Sequence, residues 1–290
     1  MSGPQRLTVR HQSAYRYSEP VRFGEHRMMF RPRASHDLRL LSTQLMISPT
    51  PDRLHWLHDV FDNSVAIATF SGEASELIFR SEVTLEHYEA PLPDYSLEGY
   101  ASKWPFAYTS EEASNLVNAR SRPILTGDVD AWARRFIGPG GSTETMTLLR
   151  SMTLEIKNSF TYVRRVEKGV NQPAETLRLG SGSCRDFAVL MMDAVRSLGL
   201  AARFVSGYIF VPNHDTTLGG GATHAWLQIY LPGAGWVDFD PTNSIIGNRH
   251  LIRVAVAWNS DQALPLWGTW HGAMHSFRSL DVDVSVTEDS

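Results

Sequence analysis

Near residue 110 the hydrophobic periodicity of this chain changes, and no single regular architecture accommodates both halves. From Leu7 to about Glu89 the pattern is one of short runs broken by Pro, Gly and Asx. Leu7–Gln12, Leu38–Ile47, Ser64–Phe70 and Leu77–His87 alternate or carry β-branched and aromatic residues over strand length. That half predicts an antiparallel sheet or sandwich. Beyond residue 110, Leu149, Met152, Ile156 and Phe160 recur at three- and four-residue spacing, and so do Phe187, Leu190, Met191, Ala194 and Leu198, closed by Gly199. Two amphipathic helices follow from that spacing. Three strand-like runs come next, Ala202–Val211, His224–Leu231 and Trp236–Asp240, the last two joined across Pro232–Gly235 as a hairpin. The fold class read from this order is α+β: a β-rich antiparallel N-terminal domain over 1–100, a linker over 101–125, a core over 126–248 in which a helix packs on an antiparallel sheet, and an extension over 249–290 ending in an edge strand. The Pro- and aromatic-rich stretch from Ala90 to Pro105 is the boundary.

Composition removes several classes of function. Hydrophobic residues at 42% and charged residues at 20% are incompatible with a disordered or fibrous chain. The net charge of −4 and the absence of a dense basic run leave no electrostatic footprint for nucleic acid. No apolar stretch approaches the roughly 20 residues of a membrane helix, and the first residues lack a hydrophobic signal core, so a cytoplasmic location is expected and a membrane partner is not. With 1 Cys the chain can form neither an internal disulfide nor a cysteine-rich metal site. The pairs His55/His58 and His271/His275 come without a carboxylate or cysteine set, so no metal is expected.

Chemistry concentrates around that cysteine. Cys184 lies in Gly180-Ser-Gly-Ser-Cys-Arg-Asp186, which runs directly into the helical stripe beginning at Phe187. The sulfur is thus expected at a helix N-terminus, where unpaired amides favour an anionic sulfur and can hold an oxyanion. Alternation along His224-Ala-Trp-Leu-Gln-Ile-Tyr-Leu231 puts His224, Trp226 and Gln228 on one face, opposite the apolar set Ala225, Leu227 and Ile229. Asp238 and Asp240 alternate in the same way with Val237 and Phe239. A nucleophile, a base and an orienting carboxylate from three elements constitute a thiol triad. For His224 and Asp240 to meet, paired position numbers must sum to an even value, which requires a three- or five-residue hairpin closure or a bulge near Leu231–Ala234.

The segments Gly182–Ala188, Arg196–Tyr208, His224-Ala-Trp226 and Gly235–Thr242 resemble those of the bacterial transglutaminase-like enzymes, a superfamily of papain-type thiol catalysts. Tyr15-Arg-Tyr17, Arg31-Pro-Arg33 and Phe61-Asp-Asn63 resemble the N-terminal β domain that often precedes that core. The resemblance implies Cys184 as nucleophile, His224 as base and Asp240 as orienting acid, in a core of papain-like fold. It implies acyl transfer at a peptide, isopeptide or γ-glutamyl-type amide through a thioester, without a cofactor. Hydrolysis by a protease or amidase is the first reading; transamidation, or a catalytically silent scaffold, are the alternatives. Two positions depart from the usual pattern: Arg185 stands where Gln is common, and Gln228 where Glu is usual. Arg185, Trp226, Gln228 and Tyr162 are the expected substrate-binding residues. Arg164, Arg165, Lys168, Arg178 and Arg185 form a local basic excess that would favour an acidic substrate. Pro212–Thr223, with Gly219-Gly-Gly221, reads as a mobile flap leading into His224. Oligomeric state stays open.

Overall fold

One 24-residue strand, Gln5–Met28, organises the first sheet. The computed structural model describes residues 4–88, 95–122, 127–165, 169–212 and 217–289. The first part of the long strand pairs antiparallel with Glu73–His87 on one side and Phe277–Glu288 on the other; its last part pairs with Ser64–Thr69 and Leu266–His271. Leu38–Ser48 and Arg53–His58 extend the sheet at its two ends. Only the beginning of this strand is legible as alternation, because Pro20 and Gly24 interrupt the rest. The ladder to Glu73–His87 skips from Arg16 to Val21, and Ser18–Pro20 are exposed. Pro20, which has no N–H to donate, sits in that gap.

The second sheet is antiparallel, in the order Ile245–Ile246, Gly235–Asp240, His224–Leu231, Ala202–Ile209, Leu251–Ala257. The helix Cys184–Ser197 lies across one face, where Phe187, Leu190, Met191 and Ala194 pack with Ala225, Leu227 and Ile229 in the main core. Each such large aliphatic or aromatic side chain contributes roughly 1.5–3 kcal/mol by leaving water. Gly199, at φ +84°, ends the helical segment as its spacing predicts. The helices Thr145–Ser159 and Gly127–Arg134 back the Cys184 helix from outside.

The first domain covers the rest of this sheet. Leu7, Val9 and Val284 pack with Tyr208, Ile252 and Val254. Asn63, fully buried, binds both backbone groups of Val256 on the edge strand Leu251–Ala257: its Oδ1 accepts from Val256 N at 2.9 Å and its Nδ2 donates to Val256 O at 2.8 Å. Arg33 donates to Phe61 O and to Asn63 Oδ1. The motifs around Arg33 and Asn63 thus act as an interdomain clamp.

Two expected boundaries differ. Residues 249–290 do not form one extension: Leu251–Ala257 completes the core sheet, whereas Leu266–His271 and Phe277–Glu288 return to the first sheet. Long-range pairing of this kind leaves no local signature in composition. The expected linker contains the helices Ser110–Asn115 and Val117–Arg120, the first opened by a capping box in which Glu112 accepts from Thr109 N. The segment 89–94 lies outside the described residues. No helix among those described is long and apolar enough to cross a membrane.

Candidate active site

Register decides whether the predicted base and acid can meet. Leu231 pairs with Gly235 and Gln228 with Asp238, so Pro232–Ala234 is a three-residue closure and every paired sum is even. His224, Trp226, Gln228, Asp238 and Asp240 therefore share a face. His224 Nε2 lies 2.9 Å from Asp240 Oδ2, with both side chains fully buried. Asp240 also accepts from Thr242 N at 2.9 Å and from Asn243 Nδ2 at 2.8 Å. Burial opposes ionisation of Asp240, but the imidazole charge and these hydrogen bonds outweigh it and hold the carboxyl below its usual range. Burial likewise opposes an imidazolium at His224. The Asp240 carboxylate, and to a lesser extent Cys184, outweigh burial and push His224 well above the ordinary histidine value.

With Nε2 committed to Asp240, Nδ1 is the ring nitrogen that remains. It has no hydrogen-bond partner among the described residues, and His224 shares the cleft lining with Cys184. Cys184 is the first residue of its helix, so its own amide has no intrahelical acceptor. Asp186 fixes this turn: Oδ2 accepts from Ser183 N at 2.8 Å and Ser183 Oγ at 2.7 Å, and Oδ1 accepts from Arg165 Nη2 and Asn171 N, each at 2.7 Å. The two-residue strand Thr161–Tyr162 runs parallel to Ser181–Gly182 and carries Tyr162 alongside the cysteine. Burial, reinforced by the charge of Cys184, pushes the Tyr162 phenol up to about 12, so it stays a neutral O–H donor.

These groups open into a cleft of ≈ 260 Å³ lined by Tyr162, Arg164, Cys184, Arg185, Phe204 and His224, among others. Trp226 and Gln228, expected to bind substrate, do not line it. Trp226 is fully buried, with its ring stacked 5.9 Å from that of His224 and Nε1 donating to Asp238 Oδ1 at 2.6 Å. Gly207 lies opposite His224, and a Cβ there would come within 2.8 Å of the Trp226 ring. Gln228 faces a separate pocket between the domains. The basic excess is also smaller than its sequence count. Arg165 is paired with Asp186 and Arg178 with Glu175, while Arg164 lines the cleft without a carboxylate at ion-pair distance among the described residues and Arg185 donates to Arg165 O at 2.9 Å. Lys168 lies outside the described residues.

Two contributors escaped the sequence reading. Asn243 binds Asp240 and both backbone groups of Leu218, with Leu218 N donating to its Oδ1 at 2.7 Å and its Nδ2 donating to Leu218 O at 3.0 Å. Its position three residues after the acid was the available signal. Gly219, at φ +96°, lies against the His224 ring, where a Cβ would stand 2.5 Å from Nδ1. The described part of the expected flap is thus packed on the His224 ring and tied down through Leu218. Among the described residues no group of three or more His, Cys, Asp or Glu is placed to hold a metal ion.

Residues 7–86 match the bacterial transglutaminase-like N-terminal region, and residues 130–241 match the transglutaminase-like superfamily core. The chain belongs to the transglutaminase-like superfamily. Its core match spans Cys184, His224 and Asp240 and supports a cysteine-dependent enzyme. An uncharacterized protein of Mycobacterium tuberculosis is 27% identical over 98% of this transglutaminase-like chain and 94% of its own length; one of Mycobacterium leprae is 37% identical over 37% of each. A crystal structure from Cytophaga hutchinsonii, described as that of a candidate cysteine protease, superposes with a TM-score of 0.70 at 16% identity, covering 100% of this chain and 93% of that one. At that identity the likeness establishes the shared two-domain fold.

Proposed function

We propose that this transglutaminase-like chain hydrolyses an amide, peptide or isopeptide bond through a Cys184 thioester. The observation that carries the reading is the sealed His224–Asp240 pair at 2.9 Å, with the remaining ring nitrogen left to the cysteine. In this reaction the Cys184 sulfur adds to the amide carbonyl, and the developing oxyanion is met by the Cys184 amide and the Tyr162 hydroxyl. The His224 imidazolium gives its proton to the leaving nitrogen as the C–N bond breaks. Asp240 keeps that positive charge stable and the ring oriented. Water then adds to the thioester, His224 takes its proton, and the acid leaves as the C–S bond breaks. The size of the cleft, ≈ 260 Å³, suits a side chain or short peptide segment better than a folded protein surface, which favours hydrolysis over protein cross-linking.

The experiment is a screen of peptide and γ-glutamyl amides with and without an added primary amine. Acid product that depends on Cys184, with amine adduct in the minority, supports hydrolysis. Adduct in excess of acid makes the chain a transamidase. Iodoacetamide labelling of Cys184 no faster than that of a free cysteine at pH 7, unchanged in His224→Ala, would leave only the silent scaffold.

A further inference from the structure

On the face of the core sheet that carries His224, but further along it, a second pocket of ≈ 590 Å³ opens between the two domains. Arg33, Arg203 and Arg253 converge on it, against Asp37 and Asp238. Two of the three guanidinium groups are occupied. Arg33 is held by Phe61 O and Asn63, and Arg253 by Asp37, Ser35 and Asp238. Arg203 is different. Its Nε donates to Gln228 Oε1 at 2.8 Å and its plane stacks on the Trp236 ring, 4.2 Å from the centroid, yet its two terminal nitrogens find no partner among the described residues. Arg203 pairs directly across the ladder with Gln228, the position at which the sequence has a neutral amide where the resembled pattern has a carboxylate. A fork that is half-buried, fixed at Nε and flattened on an indole is pre-organised for a planar oxyanion, because little side-chain freedom is left to lose on binding.

We propose that this interdomain pocket binds a small organic carboxylate, held two-pronged by the terminal nitrogens of Arg203. The cations outnumber the carboxylates there, and burial, with Arg253 and Arg33 adding like charge, lowers the Arg203 pKa to about 9, a destabilisation that a bound anion would relieve. The walls select an organic acid over a bare inorganic ion: Trp236 and Tyr95 offer apolar surface, and the volume exceeds that of a single tetrahedral anion several-fold. Gln228 is the determinant of charge. Its Oε1 accepts from Arg203 Nε at 2.8 Å, so it satisfies that side of the guanidinium without neutralising the arginine.

Calorimetric titration of the full chain with glutarate and with inorganic phosphate tests this. Saturable one-to-one binding of glutarate is expected, tighter than that of phosphate. It should weaken at least tenfold in Gln228→Glu, which places a competing carboxylate against Arg203, and in Arg203→Lys, which keeps the charge but removes the fork. Circular dichroism verifies that each variant is folded, and either one suffices. Cys184→Ala should bind glutarate like the parent, which separates this pocket from the cleft and the result from the catalytic reading. Absence of glutarate binding, preference for phosphate, equal binding by a folded Gln228→Glu or Arg203→Lys chain, or loss of binding in Cys184→Ala would each overturn the proposal.

Discussion

His224 Nε2 and Asp240 Oδ2 stand 2.9 Å apart inside a wall that admits no solvent to either side chain, so the pair proposed to serve catalysis is also a stability element. The pH dependence follows from the two shifts. His224 is raised on folding, so its contribution is complete below the unfolded value of about 6.5 and is lost as pH rises through the elevated native value. Asp240 is lowered, so its contribution is present above about 3.8 and is lost as pH falls through the depressed native value. Asp240→Asn should therefore destabilise most between those limits, by about 3–5 kcal/mol as for other broken buried pairs, and progressively less toward alkaline pH. Denaturant midpoints of both chains across pH 5 to 10 measure it. A difference that stays constant over that range contradicts the ion-pair account. Turnover should fall by roughly 10³–10⁴-fold, since the amide no longer supports the imidazolium.

Gly219 tests whether the loop before His224 positions the ring. Its φ of +96° is one that L side chains rarely adopt, and a methyl group would intrude to 2.5 Å of Nδ1. Gly219→Ala should slow both kcat and the alkylation of Cys184 at least tenfold while changing Tm by only a few degrees. Gly221→Ala, at φ +75° but with open space around its Cβ, is the control for backbone strain alone. Equal losses in the two variants would assign the effect to strain rather than to contact with the base.

Much of this site was legible because its geometry is encoded locally. The Gly/Ser loop running into an apolar stripe announces a cysteine at a helix start, and two-residue alternation puts His224 and Asp240 on one face once the hairpin closes over three residues. What alternation cannot reveal is which part of a face is open. Trp226 and Gln228 share the His224 face, yet Trp226 is sealed against the ring and Gln228 turns into the interdomain pocket, because the first domain covers that side of the sheet. The same limit applies to the C-terminal strands. Phe277–Glu288 alternates visibly, but its pairing with Gln5–Met28 spans nearly the whole chain and depends on contacts no local pattern encodes.

Cleft electrostatics give a third prediction. Arg164 lines the cleft, and its one hydrogen bond among the described residues is a long one, 3.4 Å to Gly221 O, whereas Arg165 is neutralised by Asp186. Arg164→Gln should raise KM for amides with a neighbouring carboxylate about three- to tenfold and leave neutral analogues within twofold, with the difference shrinking in high salt. Arg165→Gln should behave otherwise. It removes a partner of the buried Asp186, so the loss should appear in kcat and Tm for all substrates alike. Equal KM changes for acidic and neutral substrates in Arg164→Gln would remove the basic cleft from the account of specificity.

The last prediction concerns the clamp between the domains. Leu251–Ala257 is the outer strand of the core sheet, and at Val256 its exposed ladder groups are taken by the Asn63 carboxamide, which presents one acceptor and one donor as a neighbouring strand would. Asp59 holds that carboxamide in orientation by accepting from Asn63 Nδ2 at 2.9 Å. Asn63→Ala strands a buried N–H and a buried C=O, each costing about 1–3 kcal/mol, so a loss of roughly 3 kcal/mol is expected. Asn63→Asp keeps the acceptor for Val256 N but turns a second acceptor toward Val256 O, and should recover less than half of that loss at neutral pH. Because the Asn63 carboxamide takes the outward N–H of Val256 at the sheet edge, amide exchange at Val256 should accelerate in step with the fall in stability. Asn63→Ala with parental Tm and unchanged exchange at Val256 would show that packing of Leu7 and Val9 on Tyr208 and Ile252 joins the domains without it.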